Sequence, residues 1–244
     1  MNIPQVSVIT PTTGKDSLLN LFESLEIQTV PYVHILLWDD KRSDKYLYPD
    51  SETLKVKSPH NVIALHDNSV RYSIVIPGSM VQGQACGSAL RAIGLMAVNT
   101  PFVTFADDDV WYDSNHLENL LATVKDKQWA YCRRKVWVDA KECLGVDNFE
   151  SVGDDKSRKV PYEMVDNNCM IFSRRFGSSA AVIYRETVEY NDDRLMYSFL
   201  KNHAGEPGRT TLPTVNQICP KRLEAMFREN CSRRSNVSND KCRE

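Results

Sequence analysis

The densest chemical signal in the sequence is a run of three carboxylates, Asp107-Asp108-Asp109, that closes the apolar stretch Phe102-Val103-Thr104-Phe105-Ala106. Adjacent carboxylates repel, and the repulsion is relieved either by water in an exposed turn or by a cation held among them. Mg2+ and Mn2+ take oxygen ligands, using one or two protein carboxylates while diphosphate oxygens and waters fill the remaining positions. A second acidic pair, Asp39-Asp40, ends the apolar run His34-Ile35-Leu36-Leu37-Trp38, and a third, Asp192-Asp193, opens a helical pattern. Each also has a structural reading, because Asp is common where a strand gives way to a turn and where a helix is capped. Trp111 and Tyr112 follow the triplet, where aromatic rings suit a sugar face as well as core packing. His203 is a further candidate for a metal shell or a phosphate contact, set against a surface role at a helix end.

The elements that would position these groups alternate between strand and helix patterns, which predicts a mostly parallel sheet covered by helices. Val6–Thr10 reads as the first strand, stopped by Pro11, and Asp16 or Ser17 caps a helix running to Gln28. Strands follow at His34–Trp38 and Asn61–Leu65, with Val70–Pro77 as an extra one, then a helix over Ser88–Val98 and the buried strand Phe102–Ala106. In such sheets ligands bind beyond the carboxyl ends of the strands. Three of those ends are polar together: Thr10-Pro11-Thr12-Thr13, Asp39-Asp40 and Asp107-Asp108-Asp109. Beyond residue 112 the pattern becomes mixed, with strands at Ala130–Cys132 and Lys135–Val138, a polar segment 145–159 that reads as a mobile loop, and a helix from Asp192 to Asn202. A last helix over Lys221–Glu229 precedes a polar tail that reads as flexible.

With 244 residues and 42% hydrophobic content, the chain fits one compact domain. Thirty basic and 32 acidic residues leave a net charge of −2, which disfavours a nucleic-acid partner. No apolar run reaches the roughly 20 residues of a membrane span, and no signal segment precedes the first strand, so a cytoplasmic location is expected. Seven scattered cysteines without a CxxC pair suggest buried small hydrophobes. Arg174-Arg175 and Lys221-Arg222 read as solvated basic faces or as groups that reach a diphosphate or an anionic lipid surface.

Across roughly the first 215 residues the chain resembles glycosyltransferase family 2, inverting enzymes of the GT-A fold. Carrying the resemblance are Val6-Ser7-Val8-Ile9-Thr10-Pro11-Thr12, Leu25-Glu26-Ile27-Gln28-Thr29, Leu37-Trp38-Asp39-Asp40, Gly87 through Leu95, and Thr100 through Asp109 with its DXD-type acids, in the family's order and spacing. The resemblance implies an α/β, Rossmann-like three-layer fold with a central mixed, mostly parallel sheet. It implies a GT-A domain over 1–219, with a nucleotide-binding half at 1–112 and an acceptor-binding half at 113–219, followed by a C-terminal helix and flexible tail at 220–244. By the same analogy Thr10, Pro11 and Thr12 line the base and ribose pocket, Asp39 and Asp40 meet the base, and Arg91 sits near the donor. Asp109 is then the first choice as ligand of Mn2+ or Mg2+, with Asp107 and Asp108 shared between metal and donor. Asp193, then Asp192, serves as the base that takes the acceptor proton. The implied reaction moves a sugar from a nucleotide-diphosphate sugar, UDP-sugar favoured, to a hydroxyl of a glycan, lipid-linked or protein acceptor, as in surface polysaccharide synthesis. Arg91-Ala92 and Lys41-Arg42 depart from the family pattern. Two alternatives stay open: a nucleotidyltransferase, against which the loop Pro11-Thr12-Thr13-Gly14-Lys15 has a single Gly, and a non-catalytic sugar- or metal-binding module. Peripheral membrane contact through the last helix is a further expectation, set against simple amphipathic packing.

Overall fold

A computed structural model describes residues 3–39, 62–64, 70–76, 87–155, 163–186 and 191–232. Ten strands form one sheet: β1 (Val6–Thr12), β2 (Tyr32–Asp39), β3 (Val62–Ala64), β4 (Val70–Ile76), β5 (Phe102–Phe105), β6 (Val110–Tyr112), β7 (Trp129–Val138), β8 (Glu142–Val146), β9 (Met170–Ser173) and β10 (Gly208–Ile218). Their order is β3-β4-β2-β1-β5-β9-β7-β10-β6, with β8 paired to β7. Strands β4, β2, β1 and β5 form a parallel block; β7 and β10 share its direction, and β3, β6, β8 and β9 run against it. The sheet is therefore mixed and mostly parallel, as the alternating pattern predicts.

Helices α1 (Leu18–Glu26) and α2 (Ser88–Ala97) lie on opposite faces of the parallel block. The ring of Phe22 on α1 meets His34 of β2, whereas α2 sits over Ile9 and Leu37, whose side chains leave the other side of the pleat. Helix α3 (His116–Val124) packs on β7 and β10. Helix α4 (Gly177–Glu186) packs on α2, and α5 (Asp192–His203) on α4. Helix α6 (Glu224–Ser232) buries Phe227 in a small cluster with Val136 and Cys219.

Three local expectations are corrected. Pro11 does not stop the first strand; β1 runs on to Thr12 beside β2. The partner on its other side, β5, pairs only as far as Ile9, so the ladder loses nothing where Pro11 lacks an N–H. The two strands expected at Ala130–Cys132 and Lys135–Val138 are one strand, continuous through Arg133-Arg134. Arg134 is tolerated in the interior because Asp147, Glu150 and Asp166 neutralise it. Those acids also give residues 145–155 of the segment expected as a mobile loop fixed hydrogen-bond partners, and 156–159 lie outside the described residues. Buried Asp147 accepts from the backbone N–H groups of Phe149, Glu150 and Ser151. Strands β6 and β10 are not anticipated by the pattern, and the tail beyond residue 232 lies outside the described residues.

Packing of α2 on the sheet depends on Gly94. A Cβ at that position would lie 2.6 Å from Ile9 Cγ2 and 3.0 Å from Leu37 Cδ1, both in the buried core. Gly94→Val is expected to lower the unfolding free energy by about 2 kcal/mol or more, from overpacking against two immobile neighbours. Urea denaturation checks this, and an unchanged midpoint would contradict it.

Candidate active site

The ends of β2, β1 and β5 are neighbours, so their polar residues open into a single cleft of about 990 Å³. Pro11, Thr12, Asp39, Asp107, Asp108 and Asp109 line it, together with Asp192 and Asp193 from the start of α5. Thus the acids read separately from the sequence share one space.

The three consecutive carboxylates have different neighbours. Asp107 is held by buried Arg91 on one oxygen and by Asn168 Nδ2 at 3.1 Å on the other, while its backbone N–H donates to Asn168 Oδ1 at 2.6 Å. Asp108, nearly buried, accepts from Lys15 Nζ at 2.7 Å and Thr12 Oγ1 at 2.9 Å. Ser17, one of the two residues expected to cap α1, takes the N-cap position but makes no side-chain cap; its hydroxyl instead donates to the Asp108 carbonyl at 2.6 Å and ties the helix start to the triplet. Asp109 differs from both. Its carboxylate lies 3.6 Å from Lys15 Nζ, and 40% of its side chain is exposed. Burial against the floor of the cleft, then repulsion from Asp107, with Lys15 opposing and Asp108 adding, moves its pKa up to about 6. Burial works against the charge on Lys15, but Asp108, Asp109 and Asp107 outweigh it and raise its pKa.

On the opposite wall Asp192 Oδ2 receives Arg91 Nη1 at 3.0 Å and Ser88 Oγ at 3.2 Å. Arg91 therefore joins the strand-end acids to the helix-start acids through one guanidinium, which is only 5% exposed. Among the described residues Asp193 has no such cation on its carboxylate; Oδ1 accepts from the Asn167 backbone N–H at 3.0 Å. Burial, followed by the negative charges of Asp166 and Asp192, raises its pKa well above the ordinary carboxylate value, with Arg91 opposing. A carboxylate in that state is a better proton acceptor than one neutralised by a guanidinium.

A divalent ion fits this arrangement in a restricted way. Both oxygens of Asp107 and both of Asp108 are engaged, which argues against Asp107 as a ligand, and among the described residues no group of three acids, histidines or cysteines could hold a metal. Within the triplet Asp109 exposes the largest share of its side chain to the cleft, 40% against 28% for Asp107 and 7% for Asp108. This suits Mg2+ or Mn2+ that arrives with most of its oxygen ligands supplied by a diphosphate and water.

Several expected residues lie elsewhere. Thr10 is fully buried below the cleft, where its hydroxyl meets His34 Nε2 at 3.0 Å, so it does not line the pocket. His34 Nδ1 accepts from Arg71, leaving the proton on Nε2 to reach Thr10. His203 is not a ligand of this site. It ends α5, about 16 Å along the axis from Asp192, exposed and against the ring of Phe199. Tyr112 is buried with its hydroxyl on the Phe105 carbonyl, and Trp111 pairs with Trp137; neither ring borders the cleft. Asp40 lies outside the described residues. Conversely, Lys15, Asn167 and Asn168 are site residues that sequence reasoning did not single out. Lys15 follows a strand end in a loop and Asn167-Asn168 precede a strand, placements as ordinary for surface polar residues as for site residues.

The far half of the cleft is formed by Arg134, Val136, Met164, Arg222, Leu223 and Phe227. It is more apolar and includes the chain following Cys219, which belongs to the same walls as the sheet. Among the described residues no helix is long and apolar enough to cross a membrane.

No family model and no curated protein matches the sequence. Solved structures do match in shape. The Staphylococcus aureus protein TarS, residues 1–349, superimposes with a TM-score of 0.64 at 16% identity, covering 88% of this chain and 60% of that one. Its complex with UDP gives 0.63 at 15% identity over 91% and 63%, and its complex with UDP-GlcNAc gives 0.59 at 15% over 89% and 59%. The chain therefore spans about three fifths of the length of these structures, and what it shares with them is the fold: a mixed α/β body around a mostly parallel central sheet.

Proposed function

We propose that this chain is a metal-dependent inverting glycosyltransferase of the family 2 type, transferring a sugar from a nucleotide-diphosphate sugar to an acceptor hydroxyl. One observation carries the reading: Arg91 links Asp107, at the end of β5, to Asp192, at the start of α5, so that the acids suited to a donor and those suited to a base face the same cleft. The UDP and UDP-GlcNAc complexes of TarS, with the same fold, support a uridine donor.

The donor's nucleotide lies over Pro11, Thr12 and Asp39, and its diphosphate faces Asp109. Asp109 would hold Mg2+ or Mn2+, which supplies positive charge to the departing diphosphate when bound. An acceptor hydroxyl entering from the Val136 and Leu223 side attacks the anomeric carbon from the face opposite the diphosphate. Asp193 takes the hydroxyl proton as the new C–O bond forms; the bond from carbon to the diphosphate oxygen breaks, and the nucleoside diphosphate leaves with that electron pair. Asp192, neutralised by Arg91, holds the start of α5 in place.

Calorimetric titration of UDP in the presence of Mn2+ and of a chelator tests the reading. Binding at least tenfold tighter with the metal is expected, because the diphosphate and Asp109 complete each other's coordination. Equal affinities would overturn the metal-dependent reading. Release of pyrophosphate rather than nucleoside diphosphate during turnover would replace it with nucleotidyl transfer.

A further inference from the structure

Among the described residues two cations meet the acidic triplet, and only one of them is free to change partner. Arg91 is clamped from both sides, by Asp107 and Asp192, and is almost wholly buried. Lys15 approaches from the loop between β1 and α1, exposes 52% of its side chain, and spans the gap between Asp108 at 2.7 Å and Asp109 at 3.6 Å. Its ammonium thus stands beside the most exposed carboxylate of the triplet. A compact ammonium on a four-carbon stem changes partner by rotation about single bonds, which a guanidinium fixed by two carboxylates does not. The loop itself is braced beneath the lysine, with the Gly14 N–H on Thr12 Oγ1 at 2.8 Å and Gly14 at φ 80°. The stem can move without moving its base.

We propose that Lys15 is the resident counter-ion of the triplet, which yields its place at Asp109 to the divalent ion and then binds the donor's diphosphate. This rests on the donor chemistry above and deepens it. The resting ion pair keeps the apo carboxylates compatible and makes the bare protein a poor metal binder. With nucleotide present, the same ammonium adds a second positive charge beside the leaving group.

The proposal predicts effects of opposite sign, read by Mn2+ paramagnetic resonance on the full chain and by UDP calorimetry at saturating Mn2+. In Lys15→Met, Mn2+ without nucleotide is expected to bind at least tenfold tighter than in the unmodified protein, while UDP binds roughly tenfold more weakly. A lysine that merely supports the fold would weaken both together and lower the melting temperature. Both affinities moving the same way, or neither moving, would overturn the proposal. Lys15→Arg serves as a second variant if the methionine protein fails to fold, and it should hold Mn2+ as weakly as the unmodified chain; tighter binding there would also overturn the proposal. Failure of the donor reading is separate: it would appear as no UDP binding to the unmodified protein, whatever Mn2+ does in the Lys15 variants.

Discussion

Asp193→Asn is expected to lower turnover by about a thousandfold while raising the melting temperature near neutral pH. The first effect follows from losing the group proposed to take the acceptor proton, a contribution that for general bases is about 10²–10⁴-fold. The second follows from linkage. The Asp193 carboxyl has a folded-state pKa above its unfolded value, so the folded protein binds the proton more tightly and its ionised form costs stability. That cost is absent below the ordinary carboxylate pKa of about 3.9 and complete above the raised one. An uncharged amide removes it and keeps an oxygen for the Asn167 N–H. The variant should therefore be more stable at pH 8 and indistinguishable at pH 3. Turnover of the unmodified protein should climb with pH through a limb above the usual carboxylate range. A variant that retains turnover, or that melts lower at pH 8, would remove Asp193 from the role of base.

The second large effect concerns Asp109. With its pKa moved up to about 6, protons compete with the divalent ion in the mildly acidic range. Mn2+-dependent UDP binding should be nearly independent of pH above 7 and fall by about tenfold between pH 7 and pH 5, as each bound ion comes to displace one proton. Asp109→Asn should lose the metal-dependent part of the affinity, about a hundredfold, and the pH dependence with it. Its stability should rise modestly at pH 8, by about 1 kcal/mol, since the exposed part of the side chain lets water screen the repulsion from Asp107 and Asp108. Calorimetry across pH 5–8 reads the binding effects. A pH-dependent metal increment that survives in Asp109→Asn would move the ion to another carboxylate.

Much of the site was legible because it obeys local rules. Apolar runs of strand-forming residues that end in acids mark the carboxyl ends of β2 and β5, and in a parallel sheet those ends face the ligand. Pro11, Thr12, Asp39 and the triplet follow from that reasoning, whereas Asp192-Asp193 enters only through the family resemblance, since local chemistry explains a helix start equally well by capping. The expectation for Thr10 failed on one pleat: a sequence pattern names a strand end but not which residue in it turns to the cleft and which turns to His34. His203 failed on helix length, since twelve residues of α5 carry it far from the acids that open the helix. The strand break expected at Arg133-Arg134 failed because two adjacent charges look incompatible with an interior strand until Asp147, Glu150 and Asp166 are seen around them.

Taken alone, the sequence determined the alternating elements of the parallel block and the chemical types at their ends, because periodicity and turn chemistry are properties of neighbours along the chain. Only the tertiary structure decided which charges meet. Lys15 and Asp108 are 93 residues apart, and Arg91 and Asp192 are 101 apart. Those pairings depend on the crossovers that place β1 beside β5 and bring α5 back over α4. Which acid is neutralised, which is left accessible and which is driven toward a higher pKa are consequences of that return of the chain, and no pattern among adjacent residues encodes them.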